Sequence, residues 1–279
     1  MINTSLIIPI FNEEKNIINL IETIENQTIK PNEIIFVNAG STDNTKEIIQ
    51  DRIKIANLKD VKVVIKNTSK LYPGGSRNLG VEISTNDHIF FMDAGIEFDK
   101  KWIESTLKIY NENKCEIVWG ACKFTYKNSF SEALCSVTFG KNKVYKTIPG
   151  SLIKKIIFEK IVKFDSSLRS AEDLLWMNEI KKNNLKNLEN YLSFNTYNSY
   201  PSNIYNLTKK WFINAYYSLR SKLYFYHSFI YIIFFLLLFL CFFSSQFFSE
   251  LLFLYFIFRI ILLPIVKNKK LFWFSNIYV

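Results

Sequence analysis

A run of 27 residues, Leu223–Ser249, contains no formally charged side chain and dominates what this chain can fold into. A helix that crosses a bilayer needs about 20 consecutive apolar residues, so this run is long enough to span. A second apolar run, Leu251–Val266, follows and is interrupted only by Arg259. We therefore predict a head formed by residues 1–200 and a two-helix membrane hairpin at residues 223–266.

The charges of the C-terminal third support this division. Residues 201–279 hold eight Lys and Arg side chains against one acid, Glu250, which gives +7 of the chain's total +10. The positive excess flanks the apolar runs, as the positive-inside rule describes for cytoplasmic segments. We expect a basic juxtamembrane helix at 201–222, a basic and aromatic tail at 267–279, and a head on the cytoplasmic face of the cell inner membrane.

Two alternatives to the hairpin stay open at this point. The apolar runs could form a buried helical pair in a soluble protein, although the density of Phe, Leu and Ile disfavours this. The second run could also be re-entrant or interfacial, because it contains Arg259 and Pro264.

Composition disfavours several classes of site. The head carries only the remaining +3 of net charge, whereas a nucleic-acid binder needs a strongly basic face, so no nucleic-acid partner is expected. The chain has two histidines, and its four cysteines lack the paired spacing of zinc or redox motifs. A histidine-based metal site or catalytic triad is therefore nearly excluded, and the thiols are expected to be reduced and buried.

Strand and helix patterns alternate along the head, with short connections between them. This alternation predicts an α/β fold with a parallel, doubly wound sheet. Ligands of such sheets bind beyond the carboxyl ends of the strands. The predicted strands are Ser5–Ile10, Glu33–Val37, Val61–Ile65 and His88–Met92, and the predicted helices include one starting near Ile17, Thr45–Ile55, Ser76–Ile83 and Leu174–Ile180.

Polar and glycine-rich clusters occur at these strand ends. Three lie where a predicted strand ends, at residues 9–13, 38–43 and 90–95, and the fourth, at residues 72–78, opens a helix. Each cluster alone is explained by a turn or a helix cap. Four of them in this order, all at one edge of the predicted sheet, favour a binding site.

In this order the clusters resemble glycosyltransferase family 2, whose members are inverting enzymes with the A-type nucleotide-sugar fold. The resemblance covers roughly residues 4–200. It implies a Rossmann-like, mostly parallel sheet flanked by helices, a nucleotide-sugar donor, transfer of a hexosyl group, and a lipid-linked or cell-surface glycan acceptor. The similar segments are Ser5–Glu14, Glu33–Asp43, Gly74–Gly80, Ile89–Gly95, Pro149–Ser151 and Arg169–Trp176.

The resemblance also implies which residues bind the donor. Asn38 departs from the family, which usually has Asp after the second strand. An amide keeps the hydrogen bonding to a base edge but loses the charge. The implied donor-binding residues are Pro9, Phe11, Glu13, Asn38, Gly40, Ser41, Asp43, Gly75, Arg77, Asn78, Asp93 and Gly150.

A divalent cation, Mg²⁺ or Mn²⁺, is implied in the same way, with Asp93 as its ligand. The family's Asp-x-Asp motif reads Asp93-Ala94-Gly95 here, and Gly95 has no side chain to ligate a metal. Mg²⁺ often binds through one or two carboxylates plus substrate phosphates, so Asp93 alone could suffice. Glu97 is the candidate replacement for the missing acid.

The remaining catalytic residues implied by the resemblance are Asp173, as general base, and its neighbour Glu172. Acids at the start of a helix are also favoured by the helix dipole, and without the upstream clusters that explanation would be preferred. Two alternatives to the transferase stay open. The chain could be a catalytically degraded binding or scaffold subunit, or a nucleotidyltransferase on a similar fold.

Overall fold

The computed structural model describes residues 2–138, 143–198, 201–221, 236, 240 and 246–258. The chain divides into two compact units. The first comprises Met1–Lys123 and Val144–Ser199, and the second comprises Phe124–Lys143 and Tyr200–Val279. The segment Phe124–Lys143, which lies inside the head predicted at residues 1–200, therefore belongs to the second unit.

One sheet organises the first unit. Its strand order is β3-β2-β1-β4-β7-β6-β9-β5, and β8 pairs with β6. The strands are β1 (Thr4–Ile10), β2 (Glu33–Asn38), β3 (Lys62–Asn67), β4 (His88–Phe91), β5 (Ile96–Glu97), β6 (Ile117–Phe124), β7 (Val144–Lys154), β8 (Asn187–Glu189) and β9 (Asn195–Tyr197).

The sheet is mixed. β1 pairs in parallel with β2 and β4, and β2 with β3, as the sequence predicts. The parallel expectation is wrong for the other half, where β7 runs antiparallel to both β4 and β6. Strands and helices still alternate from β5 to β7, so the alternation alone does not reveal the change of direction, and the pairs β4–β7 and β5–β9 join strands that are distant in sequence.

Nine helices lie within the described residues, and four of them, α1, α2, α3 and α7, correspond to helices that the sequence predicts in the head. α2 has the predicted bounds, whereas α3 begins three residues early because Pro73, with its fixed φ, suits the first helical turn. The first unit contains α1 (Ile17–Glu25), α2 (Thr45–Ile55), α3 (Pro73–Ile83), α4 (Trp102–Asn113), α6 (Lys155–Lys160) and α7 (Glu172–Lys182), and the second contains α5 (Ser129–Thr138), α8 (Ile204–Arg220) and α9 (Gln246–Ile257).

Both faces of the sheet are buried, which explains why the parallel strands read as continuous apolar runs. Successive side chains of a strand point to opposite faces. In β1, Leu6 and Ile8 pack into one hydrophobic cluster with Phe36 and Trp102, whereas Ile7 packs into a second cluster. Two cores thus fix the orientation of β1, whose carboxyl end opens the site described below.

The predicted membrane hairpin lies largely outside the described residues. Within the described part of the chain, no helix is both long enough and apolar enough to cross a bilayer. Helix α8, with 17 residues, precedes the predicted hairpin, and helix α9, with 12 residues, lies within it.

The contact between α3 and β1 generates a prediction about Gly80. Helix propensity alone would favour Gly80→Ala by about 1 kcal/mol. A Cβ at this position, however, would lie 2.4 Å from Cγ2 of Ile7. Because overpacking costs about 1–3 kcal/mol, we expect Gly80→Ala to lower the free energy of unfolding measured in urea. In an Ile7→Ala background the same change should cost less, and an equal cost in both backgrounds would contradict the packing account.

Candidate active site

A cleft of about 640 Å³ opens at the carboxyl ends of β1 and β4. Its volume lies within the range of small-molecule sites. The segments that lead into α3 and α7 form other parts of the wall. The residues proposed from the sequence that line this cleft are Pro9, Phe11, Glu13, Arg77, Asp93, Glu172 and Asp173.

Arg77 is the centre of the cleft's charge network. Its guanidinium donates to Oε1 of Glu172 at 2.9 Å and to both carboxylate oxygens of Asp93 at 3.1 Å. The Arg77 side chain is only 4% exposed and that of Glu172 is 7% exposed. Burial would lower the pKa of Arg77, but the charges of Asp93 and Glu172 outweigh it and raise that pKa above its ordinary value. Arg77 is therefore a permanent cation held between two acids.

The close approach of α3 and α7 depends on Gly74 and Asn78. A Cβ on Gly74 would lie 2.9 Å from the carbonyl oxygen of Asp165 and 3.1 Å from Cγ of Glu172, so only glycine fits there. The Asn78 amide donates to the carbonyl of Phe164 at 2.8 Å and accepts from the Phe164 amide at 3.0 Å. These contacts hold the loop before α7 against α3, which brings Glu172 within reach of Arg77.

The two adjacent acids at the start of α7 lie in different environments. Glu172 is buried against Arg77. Asp173 is half-buried and lines the cleft, and its Oδ1 accepts the backbone amide of Leu174 at 2.8 Å. Burial raises the pKa of Asp173, the Arg77 charge lowers it, and the Asp93 charge raises it, with a net rise above its ordinary value. Asp173 is thus the acid of this pair that can accept a proton from a molecule in the cleft.

Glu13 lies in the loop that follows β1, and it also lines the cleft. Burial raises the pKa of Glu13, the hydrogen bond from Asn16 opposes this, and the charges of Asp93 and Asp43 raise it further. Its backbone amide donates to Oγ1 of Thr45 at 2.8 Å, which anchors the loop after β1 to the start of α2.

The cluster at residues 38–43 does not line the cleft through its predicted polar side chains. Asn38 is buried and uses its amide to bond Asn67 and the backbone of Ser41, both at 3.0 Å. Ser41 accepts the Asn12 amide, and Asp43 accepts the amides of Glu14 and Thr45. These side chains brace the loops beside the cleft, and the residue of this cluster that faces the cleft is Ala39.

Three further glycines of the predicted set act through their backbones. Gly40 and Gly150 adopt positive φ values of 79° and 89°, which other residues rarely adopt. The Gly150 carbonyl accepts Nε1 of Trp102 at 2.8 Å, and Gly75 is buried against Ser166. Like Asn78, these glycines do not line the cleft but shape the segments that do.

The side chains around Asp93 do not form a binding site for a resident divalent cation. Both carboxylate oxygens of Asp93 already accept hydrogen bonds from Arg77, and Gly95 offers no ligand. Glu97 follows Ile96 in β5; Ile96 lines the cleft, and alternation along the strand turns Glu97 to the opposite, exposed side. Among the described residues, no three His, Cys, Asp or Glu side chains converge on a point where an ion could sit.

The cleft also contains residues that the sequence reasoning did not assign. Lys70, Tyr72 and Arg169 line it. All three lie within three residues before α3 or α7, inside or beside segments that the sequence analysis identified, so their position could have marked them as candidates. Tyr197 of β9 also lines the cleft, and no sequence pattern pointed to it because it arrives through antiparallel pairing of distant strands.

The chain belongs to glycosyl transferase family 2, because the sequence profile of that family matches residues 5–171. The described first unit accordingly has the Rossmann-like A-type fold of these enzymes, with a mixed sheet. The family resemblance inferred from the clusters is confirmed.

The chain is similar to several curated glycosyltransferases. It is 26% identical to AglE of Haloferax volcanii over 183 residues, which is 62% of this chain and 59% of AglE. It is 29% identical to a poly(ribitol-phosphate) β-glucosyltransferase of Bacillus spizizenii over 61% of this chain and 28% of that protein. The match therefore spans less than two thirds of each relative.

Among solved structures, the fold is similar to residues 1–349 of Staphylococcus aureus TarS in complex with UDP-GlcNAc. The TM-score is 0.56 at 17% identity, over 72% of this chain and 60% of that one. This similarity establishes the fold of the first unit.

The buried position of Arg77 predicts a large loss of stability in Arg77→Met. Removing one partner of a buried ion pair typically costs about 3–5 kcal/mol, because the other charge is left uncompensated. We expect a loss of this size in urea denaturation, partly recovered in Arg77→Met/Glu172→Gln. Lys54→Met, which removes an exposed ion pair with Asp51, should change stability by about 0–1 kcal/mol. A loss in Arg77→Met no larger than in Lys54→Met would contradict the network described here.

Proposed function

We propose that this protein transfers a sugar from a nucleotide-sugar donor to a hydroxyl group of a lipid-linked or cell-surface glycan, with inversion of the anomeric configuration. The observation that carries the proposal is the position of Asp173. It is a half-buried acid that lines the same cleft as Arg77 and Asp93, next to a neighbour that is fully engaged with Arg77.

An acceptor hydroxyl has a pKa far above neutrality and needs a general base within hydrogen-bond reach. Asp173 takes the hydroxyl proton as the oxygen attacks the anomeric carbon from the face opposite the leaving nucleoside diphosphate. The new glycosidic bond forms as the bond to the diphosphate breaks, which inverts the configuration. A pKa raised by burial makes Asp173 a stronger proton acceptor than an exposed aspartate.

Glu172 has a different part in this proposal. Its carboxylate is bonded to Arg77 at 2.9 Å and is buried, so it positions the start of α7 and balances the Arg77 charge. Burial raises the pKa of Glu172, Arg77 lowers it and the charge of Asp173 raises it, with a net rise. Glu172 is therefore a positioning residue.

The acceptor class is proposed from the relatives. Two of them are described as poly(ribitol-phosphate) glycosyltransferases, and a third as an amylovoran biosynthesis glycosyltransferase. The first two names specify a polymeric acceptor, poly(ribitol-phosphate).

We also propose that the protein acts at the cytoplasmic face of the inner membrane. The uncharged run Leu223–Ser249 is the first support. A second is α8, whose exposed aromatic residues Tyr205, Phe212 and Tyr216 are spaced to share one helix face. Lys209 lies on the same face by its spacing, and aromatic and basic residues together are typical of helices that bind an anionic lipid surface.

The enzyme proposal predicts the behaviour of Asp173→Asn. This change keeps the size of the side chain but removes the base. General-base assistance typically contributes about 10²–10⁴-fold, so transfer should fall by that factor while the donor still binds. The measurement is release of nucleoside diphosphate and glycosylated product in a screen of nucleotide sugars. Glu179→Gln, on the exposed part of the same helix, is the matched control and should transfer at the parent rate.

Transfer by Asp173→Asn at the parent rate would overturn the mechanism. Release of inorganic diphosphate would instead identify a nucleotidyltransferase, and donor binding without turnover in the parent would identify a binding subunit. The pH dependence gives a further check. The base must be ionised, so activity is lost as pH falls through its pKa, and burial places this loss above the ordinary aspartate range of about 3.9.

The membrane proposal predicts that the full chain pellets with membranes after lysis and requires detergent for extraction. Resistance to alkaline carbonate would support an inserted hairpin, because surface-bound helices are released under these conditions. A chain ended at Ser221 should be recovered in the supernatant at high salt. Recovery of the full chain in the soluble fraction would show that the anchor proposal is wrong.

A further inference from the structure

Three cations line the cleft, and they differ in how their charges are balanced. Arg77 is compensated by Glu172 and Asp93. Lys70 and Arg169 are exposed at the cleft, and neither forms an ion pair within the described ranges of the chain. Two uncompensated positive charges therefore face the space in which a donor would lie.

Their placement follows from the contacts between the segments that carry them. Lys70 lies three residues before α3 and Arg169 three residues before α7. Gly74, in the first turn of α3, would bring a Cβ to 3.1 Å from Cγ of Glu172, so the two helices begin side by side. The two cations thus line the cleft from the loops that precede two adjacent helices, and both helix N-termini add positive potential in the same region.

The Arg169 segment is held in position by its surroundings. Ala171, which caps α7, adopts a left-handed conformation with φ of 71°. This conformation is unfavourable for a residue with a Cβ and persists where neighbouring structure imposes it. It is found in the loop that places Arg169 beside Glu172 and Asp173, which indicates that the direction of this loop is fixed by packing.

A nucleoside diphosphate that leaves in the proposed reaction develops negative charge, and a transferase must neutralise it. Both oxygens of the Asp93 carboxylate already accept hydrogen bonds from Arg77, and Gly95 and Glu97 supply no second ligand. We propose that Lys70 and Arg169 bind the donor's diphosphate directly, so that donor binding does not depend on a divalent cation. This inference rests on the proposed transferase function.

The test is isothermal titration of the purified full chain with UDP, GDP, CDP, ADP and dTDP, in EDTA and again in MnCl₂. The tightest nucleoside diphosphate should bind with dissociation constants that agree within about threefold in the two buffers. Arg169→Gln and Lys70→Gln should each weaken its binding by about tenfold or more, because each removes a charge-assisted contact. Binding of the corresponding nucleoside, which lacks phosphate, should not change in either variant.

Lys66→Gln is the matched control, because Lys66 is an exposed lysine four residues before Lys70 and does not line the cleft. It should bind the nucleoside diphosphate as the parent does. Since Lys70 and Arg169 are exposed, the melting temperatures of both variants should stay within about 2 °C of the parent.

The outcomes separate this inference from the function on which it rests. Binding that improves more than about tenfold on adding Mn²⁺ would overturn the inference and leave the transferase proposal intact. Arg169→Gln and Lys70→Gln binding like Lys66→Gln would also overturn it. Failure of every nucleoside diphosphate to bind in either buffer would overturn both proposals.

Discussion

The ion pairs of Arg77 are the interaction on which the cleft depends. Arg77 reaches Asp93, 16 residues away at the end of β4, and Glu172, 95 residues away at the start of α7. A buried guanidinium must be paired, because an isolated charge in a low-dielectric interior is very costly. This requirement fixes the positions of β4, α3 and α7 relative to one another, and those three elements carry the acids of the cleft.

The same pairing explains how two consecutive acids acquire different roles. Glu172 is buried and bonded to Arg77, whereas Asp173 is half-buried, lines the cleft and accepts the backbone amide of Leu174. Asp93 is also committed, because both of its oxygens accept from Arg77. Arg77 would thus compete with a divalent cation for the Asp93 carboxylate, and in the proposal above the exposed cations of the neighbouring loops balance the charge of the diphosphate.

The mixed sheet supplies the rest of the cleft. The parallel half, β3-β2-β1-β4, delivers the loops after β1 and β4 to one edge. The antiparallel half delivers Tyr197, through the pairing of β9 with β5. Gly150, in β7, lies against Asn195 so closely that a Cβ would come within 2.3 Å of Nδ2. Antiparallel pairing of distant strands therefore completes a site that the parallel strands begin.

The sequence by itself determined the elements of the parallel half, the family and the acids at the strand and helix ends. Local periodicity, proline and glycine carry that information, and α2 has the predicted bounds. The tertiary structure alone decided which polar residues face the cleft. Asn38 and Asp43 look like ligands in the sequence but satisfy backbone and side-chain groups of neighbouring loops, while Lys70 and Arg169 line the cleft. The physical reason is that hydrogen-bond partners, burial and pairing of distant strands depend on the packing of segments far apart in the chain.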